Sequence, residues 1–126
     1  PGIIELLREL KKHNIKMGIA TNKVKSAADK LNEIYFEGLI DEVAGVEDGI
    51  IPKPDRCMID NLMKRLNATT DETLYVGDSQ VDVATARNTG LDMVAVLWGF
   101  RTRKELEESG AMVFIDDPME ILDKVL

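Results

Sequence analysis

The sequence predicts an α/β fold with helices on both sides of a mostly parallel sheet, and three observations predict it. Short apolar runs alternate with amphipathic segments from one end of the chain to the other. Each run has the length of a buried strand, and each amphipathic segment can serve as the crossover helix that parallel strands require. Two of the runs stop at polar pairs, Thr21-Asn22 and Gly77-Asp78, at the carboxyl ends of strands where open α/β sheets form their sites.

Ile3, Ile4, Leu6, Leu7 and Leu10 recur at helical spacing, so residues 3 to 13 form the first helix. Ile15 to Ala20 is an apolar run that predicts a strand ending at Thr21-Asn22, and Lys23 to Phe36 predicts a helix. Gly38, Gly45, Gly49, Pro52 and Pro54 loosen the next stretch, with a short strand over Asp41 to Val46. Asp55 is placed to cap a helix striped by Met58, Ile59, Leu62, Met63 and Leu66. Thr73 to Val76 is a strand, and residues 80 to 89 form a helix closed by Gly90. A strand over Asp92 to Leu97 follows. Thr102 and Glu105 have capping-box spacing for a helix through Glu108. A strand over Met112 to Ile115 and a helix over Pro118 to Leu126 complete the chain. Residues 1–126 read as one unit, without repeat or linker.

Composition narrows the function. The 126 residues are 44% hydrophobic and 31% charged, as in a globular domain. Net charge is −7, which disfavours nucleic acid and anionic membrane surfaces as partners. No apolar run is long enough to span a bilayer. Cys57 is the only cysteine, which rules out an internal disulfide and makes a reducing cytoplasm the simplest compartment.

The strand ends and the segment Pro52-Lys53-Pro54-Asp55 assemble a hydroxyl, an amide, a cation and two carboxylates. That set suits a phosphate ester bound with Mg²⁺. Thr21 can donate to a phosphate oxygen, assisted by amide N–H groups at the following helix start. Asn22 is a second substrate-binding candidate, and Lys53 can neutralise phosphate charge. Asp78 offers a hard oxygen to Mg²⁺, which takes one or two carboxylates and fills the rest with water and substrate. Asp82, four residues on, faces the same mouth and holds a water or Lys53. Taken singly, each motif also reads as a helix cap, a solvated loop or a turn; it is their order and placement that point to a site.

Three of these segments together resemble the haloacid dehalogenase superfamily. Ile19-Ala20-Thr21-Asn22 is similar to its second motif, Lys53-Pro54-Asp55 to its third, and Gly77-Asp78-Ser79-Gln80-Val81-Asp82 to its fourth. Val96-Leu97-Trp98-Gly99-Phe100-Arg101 further resembles the phosphoglycolate phosphatase branch. The resemblance implies a three-layer Rossmann-like core and a Mg²⁺-dependent hydrolase of a small phosphorylated metabolite. It implies that Thr21 and Lys53 hold the transferring phosphoryl group, and that Asp78 binds the metal with Asp82. In that family an Asp-x-Asp-Gly-Thr motif supplies the nucleophile, which forms an aspartyl-phosphate that water hydrolyses.

No Asp-x-Asp-Gly-Thr occurs in these residues, and Asp116-Asp117 has neither its spacing nor its context. In this branch the chain re-enters the core from a helical cap at a Pro-Gly like Pro1-Gly2. The resemblance therefore implies a partial core without the central nucleophile strand or the cap, inactive alone. The strands ending at Thr21 and Asp78 are expected either to pair directly or to take a strand from a neighbouring copy. A second class of function stays open: a non-catalytic phosphate- or metal-binding or regulatory module, receiver- or flavodoxin-like. Such a module has no need for Lys53 to converge with Asp78 and Asp82.

Overall fold

The structure, a computed structural model, describes residues 2–47, 49–98 and 101–125. Pro1 of the Pro-Gly pair and Gly99-Phe100 of the Trp-Gly-Phe run lie outside the described residues. Helices and strands alternate as α1 (Ile3–Lys12), β1 (Gly18–Val24), α2 (Lys25–Tyr35), β2 (Glu42–Val46), α3 (Cys57–Leu66), β3 (Leu74–Gly77), α4 (Gln80–Thr89), β4 (Asp92–Val96), α5 (Arg103–Ser109), β5 (Phe114–Ile115) and α6 (Glu120–Val125). A 3₁₀ turn at Thr70–Glu72 precedes β3.

Local chemistry sets the helix ends. Asp55 accepts from the Cys57 amide at 2.9 Å and so caps α3 from two residues upstream. Gly90 ends α4 in the left-handed region at φ 76°, where a residue with a Cβ is strained. Thr102 and Glu105 close both bonds of the capping box on α5.

Every strand pairing is parallel. β1 pairs with β2, and β3, β4 and β5 pair in that order. The two groups remain separate sheets, so of the two arrangements expected, direct pairing of β1 with β3 does not occur. Helices explain why. On one face, Leu6, Leu7 and Leu10 of α1 and Ile121 of α6 share a core with Val43, Val94, Val96, Ile19 and Leu74, which come from both sheets. On the other, Ile59 of α3 and Ala86 of α4 enclose Tyr75 of β3 against Ala20 of β1. The two sheets are thus joined through packed side chains on both faces. Closing β1 onto β3 would bring the strands to about 4.8 Å and disrupt that packing. Val76 of β3 is 42% exposed, unusual for a strand of a parallel sheet covered on both faces.

Two strand boundaries differ from expectation. β1 starts at Gly18 and runs through Thr21-Asn22 to Val24, and α2 starts correspondingly later. Its ladder is irregular: Ala20 pairs with Ala44 and Val24 with Val46, so four steps along β1 span two along β2. Such a bulge relaxes the alternation that would otherwise hold Thr21 and Asn22 in the ladder. β5 is confined to Phe114–Ile115, and Met112 is 89% exposed instead of lying in a strand.

The loop before β2 is pinned by Asp41, which accepts from Lys11 Nζ through Oδ1 and from the Met17 amide through Oδ2. Burial pushes its carboxyl upward, but those two bonds and the charges of Lys11 and Lys16 outweigh it and hold it below its ordinary value. A depressed carboxyl stabilises the fold above its unfolded value of about 4, and that contribution is lost as pH falls through the lower folded value. Thermal melts at about pH 5 and about pH 2.5 are expected to lose less between them in Asp41→Asn than in the wild type. An equal loss in both would remove Asp41 from the acid limb.

Candidate active site

The carboxyl ends of β1 and β3 and the loop before α3 bring most of the expected side chains together. Lys53 is the hub. Its backbone is gripped by Asn22 at the end of β1: the Lys53 amide donates to Asn22 Oδ1 at 2.9 Å, and Asn22 Nδ2 donates to the Lys53 carbonyl at 3.0 Å. Asn88 of α4 donates to the next carbonyl, that of Pro54, at 2.8 Å. The loop is therefore tied to β1 on one side and to α4 on the other.

From this mount the Lys53 ammonium donates to Asp82 Oδ1 at 2.9 Å, with the two side chains 11% and 10% exposed. The Tyr75 hydroxyl donates to the same oxygen at 2.7 Å. Asp82 Oδ2 accepts from the Asp78 amide at 3.0 Å and from Ser79 Oγ at 3.2 Å. Ser79 also caps α4 by accepting from the Asp82 amide. Burial pushes the Asp82 carboxyl upward, but the Lys53 charge outweighs that with the bonds from Lys53, Tyr75 and Asp78, leaving it below its ordinary value. Asp82 is a charged acceptor throughout the neutral range.

Each expected residue now has a position. Asp82 has two protein donors on each oxygen and holds Lys53. Asp78, by contrast, is half-buried, and among the described residues its carboxylate receives no hydrogen bond, so its oxygens are open to a cation. Thr21 Oγ1 accepts from the Lys23 amide at 3.2 Å, and among the described residues its proton has no acceptor, so it can donate to an anion. Asn22, expected to bind substrate, uses its amide on the Lys53 backbone. No group of three or more His, Cys, Asp or Glu residues able to hold a metal occurs among the described residues. At this mouth, among the described residues, Asp82 has its oxygens taken by protein donors and Asp78 does not.

Tyr75, Ser79 and Asn88 were not singled out by the sequence. Ser79 carried a signal, a serine directly before a helical segment. Tyr75 carried none, because a tyrosine in an apolar strand reads as core. Gly77 has a steric role: a Cβ there would lie 2.3 Å from Asp82 Cβ and 2.6 Å from its Cγ. Only glycine lets the turn pass close enough for Asp82 to reach the Asp78 amide.

Parallel strands with helices on both faces, and a strand-end threonine, a lysine loop and a Gly-Asp turn at their carboxyl ends, define an open α/β core with a polar mouth. The description Haloacid dehalogenase-like hydrolase matches residues 1–96, and the chain belongs to that family. It is 35% identical over 120 residues to the phosphoglycolate phosphatase of Rhodospirillum rubrum, a match that covers 93% of this chain and 48% of that protein. It is 30% identical over 123 residues to a pyrophosphatase of Bacillus mycoides, covering 95% of this chain and 56% of the other. Among solved structures it is similar to a candidate phosphoglycolate phosphatase from Lactobacillus delbrueckii subsp. bulgaricus, with a TM-score of 0.95 and 36% identity over all of this chain and 53% of that one. The chain spans about half the length of the curated relatives it matches.

Gly77→Ala is expected to cost about 1–3 kcal/mol, the usual range for forcing atoms into a packed position, because Asp82 and the turn must separate. Urea unfolding measures this. A cost under about 0.5 kcal/mol would place the substitution with ordinary surface changes and show that the turn yields freely.

Proposed function

We propose that this chain is the phosphoryl- and metal-binding part of a phosphate monoester hydrolase of the phosphoglycolate phosphatase type. One observation carries the reading: Lys53, a loop residue, is fixed at the mouth by Asn22 and by the nearly buried Asp82, which itself follows the Gly77-Asp78 turn. A receiver- or flavodoxin-like module gives no reason for that convergence.

In this reading Thr21 donates its hydroxyl proton to a phosphoryl oxygen, and the Lys53 ammonium offsets the negative charge. The Asp78 carboxylate is the protein ligand for Mg²⁺, while Asp82 orients Lys53. The metal, when bound, supplies charge neutralisation on the phosphoryl oxygens. The nucleophile belongs to a first motif outside these residues. In the longer protein it attacks phosphorus, the ester P–O bond breaks, and the leaving alkoxide takes a proton from the motif's second aspartic acid. The substrate is a small phosphorylated metabolite such as phosphoglycolate, and the phosphatase and pyrophosphatase relatives support the shared phosphoryl end of that assignment. Its compartment is the cytoplasm; no described helix is long and apolar enough to cross a membrane.

The free edges of β1 and β3 belong to the same reading. The strand bearing the first motif fills that position in the longer protein, and a second copy lends one when the 126 residues stand alone.

Three outcomes are expected. In the longer protein, Asp78→Asn lowers Mg²⁺-dependent hydrolysis of phosphoglycolate by at least about 100-fold while circular dichroism is unchanged; retained turnover would remove Asp78 from the metal role. The 126-residue chain hydrolyses p-nitrophenyl phosphate no faster than a blank, and Mg²⁺-stimulated turnover by a clean preparation would show that the nucleophile lies within it. Sedimentation of the isolated chain shows a dimer that dissociates on dilution, whereas a monomer at every concentration with a cooperative melt rules out strand borrowing.

A further inference from the structure

The Lys53–Asp82 contact has a third member that none of the motifs includes. Tyr75 lies on β3 with its ring buried among Ile59, Ala86 and Leu91. Its hydroxyl donates to Asp82 Oδ1 at 2.7 Å and accepts from Lys53 Nζ at 3.2 Å. Lys53 Nζ is 5.9 Å from the ring centroid, at the outer limit of a cation–π contact. The three polar atoms close a triangle at the mouth of the site.

We propose that Tyr75 is a positioning residue, whose hydroxyl fixes the Lys53 ammonium by bonding both to it and to the carboxylate oxygen that it pairs with. An ammonium on a four-carbon stem turns readily about a single hydrogen bond. A second acceptor rigidly mounted on a buried ring removes that freedom. Of the three Nζ protons, one goes to Asp82 and one to Tyr75, and the third remains for an anionic ligand. The hydroxyl keeps its proton throughout the neutral range, since burial and the Asp82 charge push it above its ordinary value. This proposal rests on the reading of Lys53 as the phosphate-facing cation, which it extends to the residue that aims it.

The test is Tyr75→Phe, which retains the ring in its apolar setting and removes one oxygen. The chain is labelled at lysine Cε, and the side-chain order of Lys53 is read by NMR relaxation in the wild type and the variant. The expected result is a Lys53 side chain more ordered than the exposed Lys12 in the wild type and close to Lys12 in Tyr75→Phe. Unchanged Lys53 order in a folded variant overturns the proposal, because a purely packing role for the ring predicts no change. Should the variant not fold, the wild type decides alone: a slowly exchanging Tyr75 hydroxyl proton with a nuclear Overhauser effect to the Lys53 ε protons supports the proposal, and its absence refutes it. Neither readout involves turnover. Full activity of Lys53→Ala in the longer protein, with Lys53 ordered in the wild type, would instead refute the phosphatase role and leave the positioning intact.

Discussion

A lysine and an aspartate, each about one-tenth exposed, meet at 2.9 Å between a loop and the first turn of α4. Taking both charges out of water is costly, by several kcal/mol per ion even after relaxation. The pair is tolerable because nothing in it is left short of partners. Asp82 takes four donors besides its own capping bond, and no buried polar side-chain atom in the described residues lacks a hydrogen bond. Removing Lys53 or Asp82 would strand the other's charge, and each neutral donor lost would leave the buried carboxylate less well satisfied, which is why the surrounding parts are so tightly specified. Gly77 must lack a Cβ, Ser79 must cap, and the Lys53 loop must be held at both ends.

The backbone of the site is as constrained as its charges. Lys53 belongs to neither sheet, yet β1 holds its amide and carbonyl and α4 holds the next carbonyl. An error in the relative placement of the two sheets would therefore appear as a stretched bond at Asn22 or Asn88. The hydrophobic layers prevent this, since α1 and α6 on one face and α3 and α4 on the other pack across both sheets. The geometry of the candidate site is a product of core packing.

The helices were legible because their signals are local. The stripe on α3, Gly90 and the Thr102–Glu105 box each lie within a turn or two of the boundary they set. Apolar runs likewise located the strands, and the order of Thr21, Lys53 and Asp78 indicated where a site would form. Long-range facts were not legible. The bulge in β1 depends on its pairing with β2, and β5 is confined to Phe114–Ile115 with Met112 in solvent. The grip of Asn22 on the Lys53 backbone was not legible either, because its partner lies 31 residues on. Asp82 and Tyr75 show the same limit: spacing placed the carboxylate near the mouth but could not count its donors.

The free edges of β1 and β3 also bear on kinetics. Among the described residues neither edge is bonded to protein, so a strand arriving between them displaces water and breaks no existing ladder. The helices that join the sheets are already seated. Insertion there needs no prior unfolding, and its rate is limited by encounter and alignment of the incoming segment, as for β-augmentation at an exposed sheet edge. On the proposed function, these residues can fold first and receive the strand of the first motif afterwards.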